Sequence, residues 1–434
     1  MQTEHTLEIK KIIAGGSGLG HLADGMVVMV PLVLDGELVR VVEVKRCAGH
    51  IQAELLEVLE PSLARCRPIC RHFGHCGGCN LQHARYDEQL IIKEKIIGEL
   101  LARAHLSAKR AEITILASPL PTGYRHKLRL HLTRDGEVGF HRVHSNRLVA
   151  VNSCPLAVSA INDAWQALTA SGLLPAIGRY CHQIEYVCSP DTSRLSVSFF
   201  LAGNRRPPTA LVEKLCRLPG LAGIMVQDKK RHRNGVVFSH GTHGCRQSFA
   251  AGSVPYTLHW DRQSFFQVNP LQNERLVRLV LELVGNPAGK RVLDLFCGMG
   301  NFSIPLALAG AEVTGVEWNR QAVATGRKNA RSAGLANTRF IAADVASYLQ
   351  SPAVSRQGFD VLLLDPPRQG LGRSAARLAD FGSEMVVYIS CDPATLMRDL
   401  RAIVRSGYCL SSITPVDMFP QTHHIECVVL LEKN

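Results

Sequence analysis

Residues Arg291–Ser303 read RVLDLFCGMGNFS, and this stretch decides the fold of the C-terminal part of the chain. An apolar run is followed by the turn Gly298–Gly300, and a helical pattern begins at Asn301. A strand, a glycine turn and a helix in this order present backbone N–H groups to a ligand at the strand's carboxyl end. A dinucleotide-binding fold is one interpretation, but Ser303 stands where its third glycine is expected. With Asp294 in the strand, the pattern favours a nucleoside ligand without a pyrophosphate, which points to S-adenosylmethionine.

Strand and helix patterns alternate from this stretch onward, within a C-terminal domain expected over residues 263–434. The helix after Cys391 is expected to have Asp392 as its N-cap and Pro393 as its first residue. Such alternation predicts an α/β fold with a parallel, doubly wound sheet. Only about ten residues separate the last two apolar runs, too few for a helical crossover, so the final strand should be antiparallel. A Rossmann-like sheet with a reversed last strand is typical of class I S-adenosylmethionine methyltransferases.

Acidic residues end three of the predicted strands, and ligands of such sheets bind at the carboxyl ends of strands. Glu317, nineteen residues after Gly298, is expected to accept hydrogen bonds from ribose hydroxyls. Asp344 is placed for the adenine amino group of the same ligand. Asp365, which begins an Asp-Pro-Pro-Arg segment, puts a carboxylate near the reacting groups.

Cys391 ends an apolar strand and precedes a helix N-terminus, whose partial positive charge favours the thiolate. A half-buried structural cysteine is the alternative for an isolated thiol, but a thiol beside a methyl donor has a specific use. A thiolate that adds to C6 of uracil makes C5 nucleophilic enough to attack a sulfonium methyl group. A base must then remove the C5 proton; Glu426 is the best-placed carboxylate, and His423 and His424 are rival bases.

Composition favours an intracellular protein with a polyanionic partner. The 434 residues suffice for two or three domains, and 49 Lys and Arg against 37 Asp and Glu give a formal net charge of +12. No apolar run approaches a membrane span and the N-terminus lacks a signal-peptide core, so we expect a cytoplasmic protein with no membrane contact. Its 14 cysteines then indicate metal or catalytic thiols rather than disulfides.

Residues 1–64 read as short strands separated by Gly, Asp and Pro. This spacing predicts a small β-barrel of the oligonucleotide-binding (OB) type, although a barrel without a ligand fits the pattern equally well.

Residues 65–85 contain four cysteines in a short, glycine-containing loop. Such spacing lets several thiolates converge on one ion or cluster. It does not distinguish a zinc site from an iron–sulfur cluster. A further candidate ligand lies far along the chain, where a cysteine precedes a proline. The candidates are Cys66, Cys70, Cys76, Cys79 and Cys154.

Two further segments complete the chain before the C-terminal domain. Residues 86–115 contain apolar positions at helical spacing, with Asp87 as the expected N-cap. Residues 116–262 show a β-rich pattern. There, the segment Tyr124–Arg129 is basic with one aromatic residue, so it either holds phosphate and stacks a base or forms the solvated face of a strand.

Taken together, these residues resemble the bacterial RNA uracil-C5 methyltransferases that make 5-methyluridine, over nearly the whole chain. The N-terminal barrel looks like the TRAM domain of that family, and Cys70-x5-Cys76-x2-Cys79 with Cys154-Pro155 looks like its [4Fe-4S] ligand set. The remaining matches are similar to its methyltransferase motifs: SFFQVN from Ser264, LDLFCGMGNFS from Leu293, LLLDPPR from Leu362, ISCDPATLMRDL from Ile389 and HIE from His424.

The resemblance implies a role for each matching residue. Cys391 is the nucleophile and Glu426 the base, Cys66 is not a ligand, and the helix in 86–115 packs on the catalytic domain. The cluster is expected to be structural and to position RNA-binding segments. The residues expected to contact S-adenosylmethionine are Gln267, Phe296, Asn301, Glu317, Asp344 and Asp365.

The length and the cysteine set resemble the 23S ribosomal RNA enzymes more than the shorter transfer RNA enzyme. The expected substrate is therefore a single-stranded or loop uridine of 23S rRNA, flipped into the site of a monomeric enzyme. Three alternatives remain open: the same chemistry on a tRNA T-loop uridine, a nitrogen-directed RNA methyltransferase, and a non-catalytic RNA-binding protein. The presence of both Cys391 and Glu426 argues against the last two, because neither requires a nucleophilic thiol.

Overall fold

The computed structural model describes residues 3–109, 112–143, 145–228, 235–250, 254–261 and 264–434. The boundary expected between residues 262 and 263 lies outside these residues. Within them, an N-terminal barrel is followed by the cysteine loop, a long helix, a central mixed sheet and a C-terminal α/β sheet.

The N-terminal strands close into a five-stranded barrel in the order β1-β2-β3-β5-β4, which confirms the predicted small barrel. Their side chains alternate between the buried interior and the surface, as along β1 and β3. The strands are β1 (Glu4–Ile12), β2 (Ser17–His21), β3 (Val27–Pro31), β4 (Leu38–Arg46) and β5 (Ile51–Glu60).

Helix α1 (Tyr86–Ala104) follows the cysteine loop and packs on the C-terminal sheet, as the family resemblance implies. Ile92 and Ile96 share one apolar core with Leu396 of that domain. The expected N-cap was wrong, because the helix begins one residue before Asp87 and no side chain caps it. Asp87 instead accepts hydrogen bonds from Arg85 within the first turn.

The central sheet has seven strands in the order β12-β11-β10-β9-β6-β7-β8. Its strands are β6 (Lys127–Leu132), β7 (Val138–His141), β8 (Leu148–Ala150), β9 (Cys181–Cys188), β10 (Leu195–Leu201), β11 (Leu221–Gln227) and β12 (Val236–Gly241). Its helices are α2 (Ser159–Ala170), α3 (Leu174–Gly178) and α4 (Thr209–Cys216), and a hairpin of β13 (Gly244–Phe249) and β14 (Tyr256–Asp261) follows.

Neither interpretation of the basic segment at 124–129 is correct for its first two residues. Strand β6 begins at Lys127, so Tyr124 and Arg125 precede it. Tyr124 is only 2% exposed and donates to the carbonyl of Pro420, which leaves its ring unable to stack on a base.

The C-terminal sheet has the order β17-β16-β15-β18-β19-β21-β20. The strand β21 lies antiparallel to both of its neighbours, which confirms the predicted reversal. Its strands are β15 (Arg291–Leu295), β16 (Glu312–Glu317), β17 (Thr338–Ala342), β18 (Val361–Leu364), β19 (Met385–Ser390), β20 (Tyr408–Val416) and β21 (Glu426–Lys433).

Helices cover both faces of this sheet. They are α5 (Pro270–Val284), α6 (Ser303–Leu308), α7 (Arg320–Ser332), α8 (Val345–Leu349), α9 (Pro352–Ser355) and α10 (Pro393–Arg405), with a 3₁₀ helix at Gly372–Phe381. Asp392 caps α10 by accepting from the Thr395 amide, as predicted. Helix α6 begins at Ser303 rather than at Asn301, because the glycine turn extends two residues further. Among the described residues, no helix is long and apolar enough to cross a membrane.

Candidate active site

The parallel register brings the functional strand ends to one edge of the sheet. Leu295 pairs with Val316 on one side and with Leu364 on the other. The residues that follow these strands therefore converge at the carboxyl edge, where doubly wound sheets bind their ligands. Phe296, Glu317, Asp344, Asp365 and Cys391 all lie at that edge, directly at or after the ends of β15 to β19.

The glycine turn after β15 has a backbone that few other residues adopt. Phe296, Gly298 and Gly300 all have positive φ, at 63°, 55° and 96°. Phe296 bears this strain although it is not a glycine, which is a feature of ligand-binding turns. A side chain at Gly300 would meet Ile304 at 2.9 Å, whereas Gly298 faces open space. The turn thus leaves room for a ligand beside Gly298.

Glu317 is held in place by backbone donors. Its carboxylate accepts hydrogen bonds from the amides of Gly298 (3.3 Å) and Asn319 (2.8 Å), and the residue is only 8% exposed. Each oxygen retains a free lone pair, so the carboxylate can accept from two vicinal hydroxyls.

Hydrogen bonds of Asp294 and Asn301 hold the glycine turn in place. Asp294 is fully buried and accepts from the Ser303 hydroxyl, and burial raises the pKa of its carboxyl to about 7. Asn301 exchanges two amide hydrogen bonds with Asn273 of α5, at 2.9 and 3.0 Å. Sequence reasoning missed Asn273, because an asparagine inside a helical pattern gives no sign of a partner 28 residues away.

The other residues that are expected to contact S-adenosylmethionine differ in their burial and in their hydrogen bonds. Gln267 is partly buried and lies between the buried Phe266 and the α5 N-cap Asn269. Asp344 is exposed and caps α8 by accepting from Ser347, which lowers the pKa of its carboxyl. Trp318, which sequence reasoning did not single out, is 70% exposed directly after Glu317.

Cys391 and Glu426 are brought side by side by an antiparallel ladder. Ser390 of β19 pairs with Cys427 of β21, so Cys391 and Glu426 continue the ladder by one step on either strand. Cys391 is half-buried and Glu426 is 3% exposed. The two residues are 35 positions apart in the chain, and only the reversed last strand makes them neighbours.

Burial and like charge raise the pKa values of three groups at this site. Burial, with help from Glu426 and Asp365, raises the pKa of the Cys391 thiol to about 11. Burial also raises the pKa of Glu426 well above its ordinary value and that of Asp365 to about 7. Arg368 opposes these effects, since its positive charge lowers the pKa of both Cys391 and Glu426. Sequence reasoning gave Arg368 no role, although it stands in the same Pro-Pro turn as Asp365.

The rival bases His423 and His424 are packed into the protein. Burial lowers the pKa of His424 to about 4 and lowers that of His423, so both are neutral at pH 7. The Nδ1 atom of His423 lies 2.8 Å from the Asn80 amide, and the His423 amide donates to the same side chain. These contacts tie the segment before Glu426 to the cysteine loop.

A second cavity is lined by four cysteines. Cys70, Cys76 and Cys79 of the loop meet Cys154 there, within an otherwise largely apolar lining that includes Phe73 and Leu128. Cys66 does not line this cavity, and its thiol donates to the Gln82 carbonyl. In the described parts of the chain, no group of three or more His, Cys, Asp or Glu side chains forms a ready single-ion site.

Arg125 also lines the cysteine cavity. The residue is partly buried, and its guanidinium carbon lies 5.9 Å from the ring centre of Tyr124 and 5.7 Å from that of Phe419. Its buried Nε–H has no acceptor among the described residues. A partly buried cation with a buried, unused donor indicates that this cavity suits a negatively charged group.

Comparison with known proteins relates this chain to one family of methyltransferases. The family described as tRNA (Uracil-5-)-methyltransferase matches residues 85–434. The 23S rRNA (uracil(1939)-C(5))-methyltransferase RlmD of Alkalilimnicola ehrlichii is 36% identical over 433 residues, covering 96% of this chain and 94% of that protein. The protein of the same name from Pseudomonas fluorescens Pf-5 is 32% identical over 441 residues, covering 98% and 93%.

A solved structure extends this similarity to the whole fold. Pyrococcus abyssi tRNA (uracil-54, C5)-methyltransferase, in complex with S-adenosyl-L-homocysteine, aligns with 98% of this chain and 99% of its own. The TM-score is 0.77 and the sequence identity 27%. The α/β sheet with its N-terminal barrel is thus a methyltransferase fold.

Proposed function

Because this chain belongs to the tRNA (uracil-5-)-methyltransferase family, we propose that it transfers a methyl group from S-adenosylmethionine to C5 of a uridine in 23S rRNA. The observation that supports the proposal is that Cys391 and Glu426 stand one residue beyond the Ser390–Cys427 pair, at the carboxyl edge of the sheet, and interact electrostatically. A thiol next to a carboxyl group, beside a turn built for a nucleoside, is what methylation at a pyrimidine carbon requires.

The reaction begins when the Cys391 thiol gives its proton to water and becomes a thiolate. Its sulfur forms a bond to C6, and the electrons of the C5–C6 double bond move to give an enolate. C5 then bonds to the methyl carbon of the donor, the carbon–sulfur bond of the sulfonium breaks, and S-adenosylhomocysteine leaves. Arg368 favours the thiolate at the start, because its charge lowers the pKa of Cys391.

Glu426 completes the reaction as the base. Its carboxylate removes the C5 proton, the electron pair reforms the C5–C6 double bond, and the bond from C6 to sulfur breaks. The thiolate is regenerated, and the proton on Glu426 passes to water. The raised pKa of Glu426 suits this role, since a buried carboxylate is a stronger base than one in water.

The donor is proposed to lie across the glycine turn. Glu317 accepts from the ribose hydroxyls, Asp344 faces the adenine amino group, and Asp365 lies near the methionine part. Phe296, Gln267 and Asn301 complete its surroundings, and Asn273 holds Asn301 in place.

The substrate is proposed to be a single-stranded or loop uridine that leaves its stack to reach Cys391. The N-terminal barrel, over residues 1–64, serves as an OB-like TRAM domain, and residues 116–262 form an RNA-binding central domain. Between them lie the cysteine segment 65–85 and the helical segment 86–115, which packs on the catalytic domain 263–434. The enzyme acts as a monomer in the cytoplasm, where ribosomal RNA is modified.

We further propose that Cys70, Cys76, Cys79 and Cys154 hold a [4Fe-4S] cluster. Each thiolate of such a cluster binds a different iron, so its ligands stand further apart than those of a single ion. A cluster held by four thiolates is negatively charged, and the unused Nε–H of Arg125 provides a donor for it. When bound, the cluster would link the loop around Cys76 to Cys154. Its role is structural, because methyl transfer itself uses no electron.

Nucleoside analysis tests the proposal directly. The protein is incubated with labelled S-adenosylmethionine and, separately, with 23S rRNA and transfer RNA that are unmodified at C5. Labelled 5-methyluridine from the ribosomal pool alone is expected. The same product from transfer RNA alone would preserve the mechanism and refute the target, and any other labelled base would refute the role of Cys391.

A further inference from the structure

A basic groove lies on the face of the C-terminal sheet that is opposite α8 and α10, outside the site of Cys391 and Glu426. It has a volume of about 610 Å³ and is formed by three parts of the chain: the turn between β9 and β10, the β13–β14 hairpin and helix α7. We propose that this groove binds the phosphate backbone of the substrate RNA. The inference rests on the proposed function and names a surface that would hold RNA beyond the target nucleotide.

The charge of the groove is the first observation. Arg194, Arg246, Lys328 and Arg331 line it, against the carboxylate of Asp261. Within the described part of the chain, Arg194, Lys328 and Arg331 make no ion pair, and Arg246 lies 4.0 Å from a carboxylate oxygen of the adjacent turn. Four cations gathered around one concavity, three of them unpaired, repel one another and favour an anionic ligand.

The walls of the groove are joined by hydrogen bonds. Asp191 accepts from the amide and hydroxyl of Ser248, at 3.0 and 2.7 Å. Ser189 accepts from the Arg246 amide at 3.1 Å, and the His259 amide donates to Asn329 of α7. The cations are therefore carried on a preformed scaffold, which lowers the entropic cost of binding.

The length and direction of the groove favour a nucleic-acid strand. Its α7 wall extends from Gln321 to Arg331, a rise of about 15 Å along a helix, which is about four nucleotide steps at 3.4 Å per strand. Gln321 is four residues after Glu317, so the groove begins near the donor site and leads away from it. Thr192 and Thr325 add hydroxyl groups, which commonly donate to phosphate oxygens.

The test uses the double variant Arg194→Gln/Lys328→Gln, which removes one cation from each of two walls. The matched control is Arg356→Gln/Arg405→Gln, which removes the same charge from exposed positions by α9 and α10 on the opposite face. Binding of each full-length protein to an unmodified 23S rRNA fragment is measured between about 50 and 200 mM salt.

For the groove variant, the slope of log affinity against log salt concentration should become shallower by about 1.4–1.8, the value for two lost phosphate contacts. Its KM for RNA should rise about tenfold while kcat stays within about twofold. The control variant should keep the slope of the unaltered protein. Donor binding should be the same in all three proteins.

Equal slopes for the groove and control variants would overturn the inference. So would weaker binding of the groove variant to ribosomal particles with unchanged binding to naked RNA, since that result assigns the groove to a protein. The proposed function is judged separately: 5-methyluridine formation with equal slopes refutes the groove alone. A shallower slope without any 5-methyluridine refutes the activity and leaves the groove as an RNA-binding surface.

Discussion

Cys391 and Cys79, for which we propose different uses, also have different surroundings. Cys391 is half-buried at a sheet edge and is faced by Glu426, Asp365 and Arg368. Cys79 lies with three other cysteines and Arg125 in a cavity with no carboxylate among its described lining residues. A sulfur–carbon bond that must form and break during a reaction needs a proton acceptor beside the sulfur. Permanent metal ligation instead needs other thiolates and an apolar surrounding that excludes water.

Both thiols share one electrostatic property. Burial raises the pKa of Cys391 to about 11 and that of Cys79 to about 12, so each holds its proton at pH 7 in the chain itself. Each site also contains one arginine, exposed in the first and partly buried in the second. The difference therefore lies in access and in the neighbouring groups rather than in the acidity of the thiol.

The two sites are physically connected. The amides of Asn80 and Leu81, directly after Cys79, donate to the carbonyl of Gln421 at 3.2 and 3.1 Å. The Asn80 side chain also contacts His423, three residues before Glu426. The position of Glu426, the proposed base, therefore depends on the conformation of the cysteine loop.

The largest effect is expected from Cys391→Ala, which removes the atom that bonds to C6. Turnover should fall by about 10⁴-fold or more, while the affinity for S-adenosylhomocysteine stays within a few-fold. Calorimetric binding and a methyl-transfer assay measure the two quantities. Cys409→Ala, at a half-buried thiol in β20, is the matched control and should retain activity. Equal loss of binding and turnover in Cys391→Ala would contradict its role as nucleophile.

Glu426→Gln should stall the reaction after methyl transfer, because an amide cannot accept the C5 proton. Turnover is expected to fall by about 10³-fold, and a covalent protein–RNA adduct should persist on a denaturing gel. The adduct should disappear when Cys391→Ala is added. Normal release of methylated RNA by Glu426→Gln would assign the proton transfer to another group.

Cys79→Ser tests the proposed cluster site, the second of the two thiol sites compared above. The variant should lose the iron and sulfide of the anaerobically purified protein, because one of the four proposed ligands is gone. Turnover should fall about 10-fold to 100-fold through the displaced base, less than for Cys391→Ala. Cys66→Ser, in the same loop but outside the cavity, should keep its iron. Iron retained by Cys79→Ser and lost by Cys66→Ser would reverse the ligand assignment.

The smallest effect is expected in the pH dependence of Cys391 alkylation. Mass spectrometry of the peptide that contains Cys391 measures the extent of this reaction. The reactive thiolate fraction increases as pH approaches about 11. Asp365→Asn should lower the pKa of the thiol and raise the alkylation rate at pH 8 several-fold, since the Asp365 carboxyl has a pKa of about 7 and its negative charge at pH 8 opposes the thiolate. Arg368→Gln should act in the opposite direction. The same sign of change in both variants would contradict the charge arrangement described here.

Much of the catalytic half was predictable because its signals are local. The run before Gly298 and the acidic strand end at Glu317 predict a strand, a glycine turn and a nucleoside site, and the structure has the strand and the turn. The short link before the last strand predicts its reversal, since a parallel strand needs a longer crossover. Errors arose where the local signal was ambiguous, as for the N-cap of α1, where Asp87 bonds to Arg85 instead.

Sequence by itself determined the chemical class of this protein: a glycine turn for a methyl donor, a thiol before a helix N-terminus and clustered cysteines. Only the tertiary structure decided which side chains meet. The reversed strand places Glu426 beside Cys391, Arg125 lines the cysteine cavity instead of facing solvent, and three distant segments form the basic groove. The physical reason is that spacing along the chain fixes local backbone geometry, whereas contacts between distant residues depend on strand register and packing.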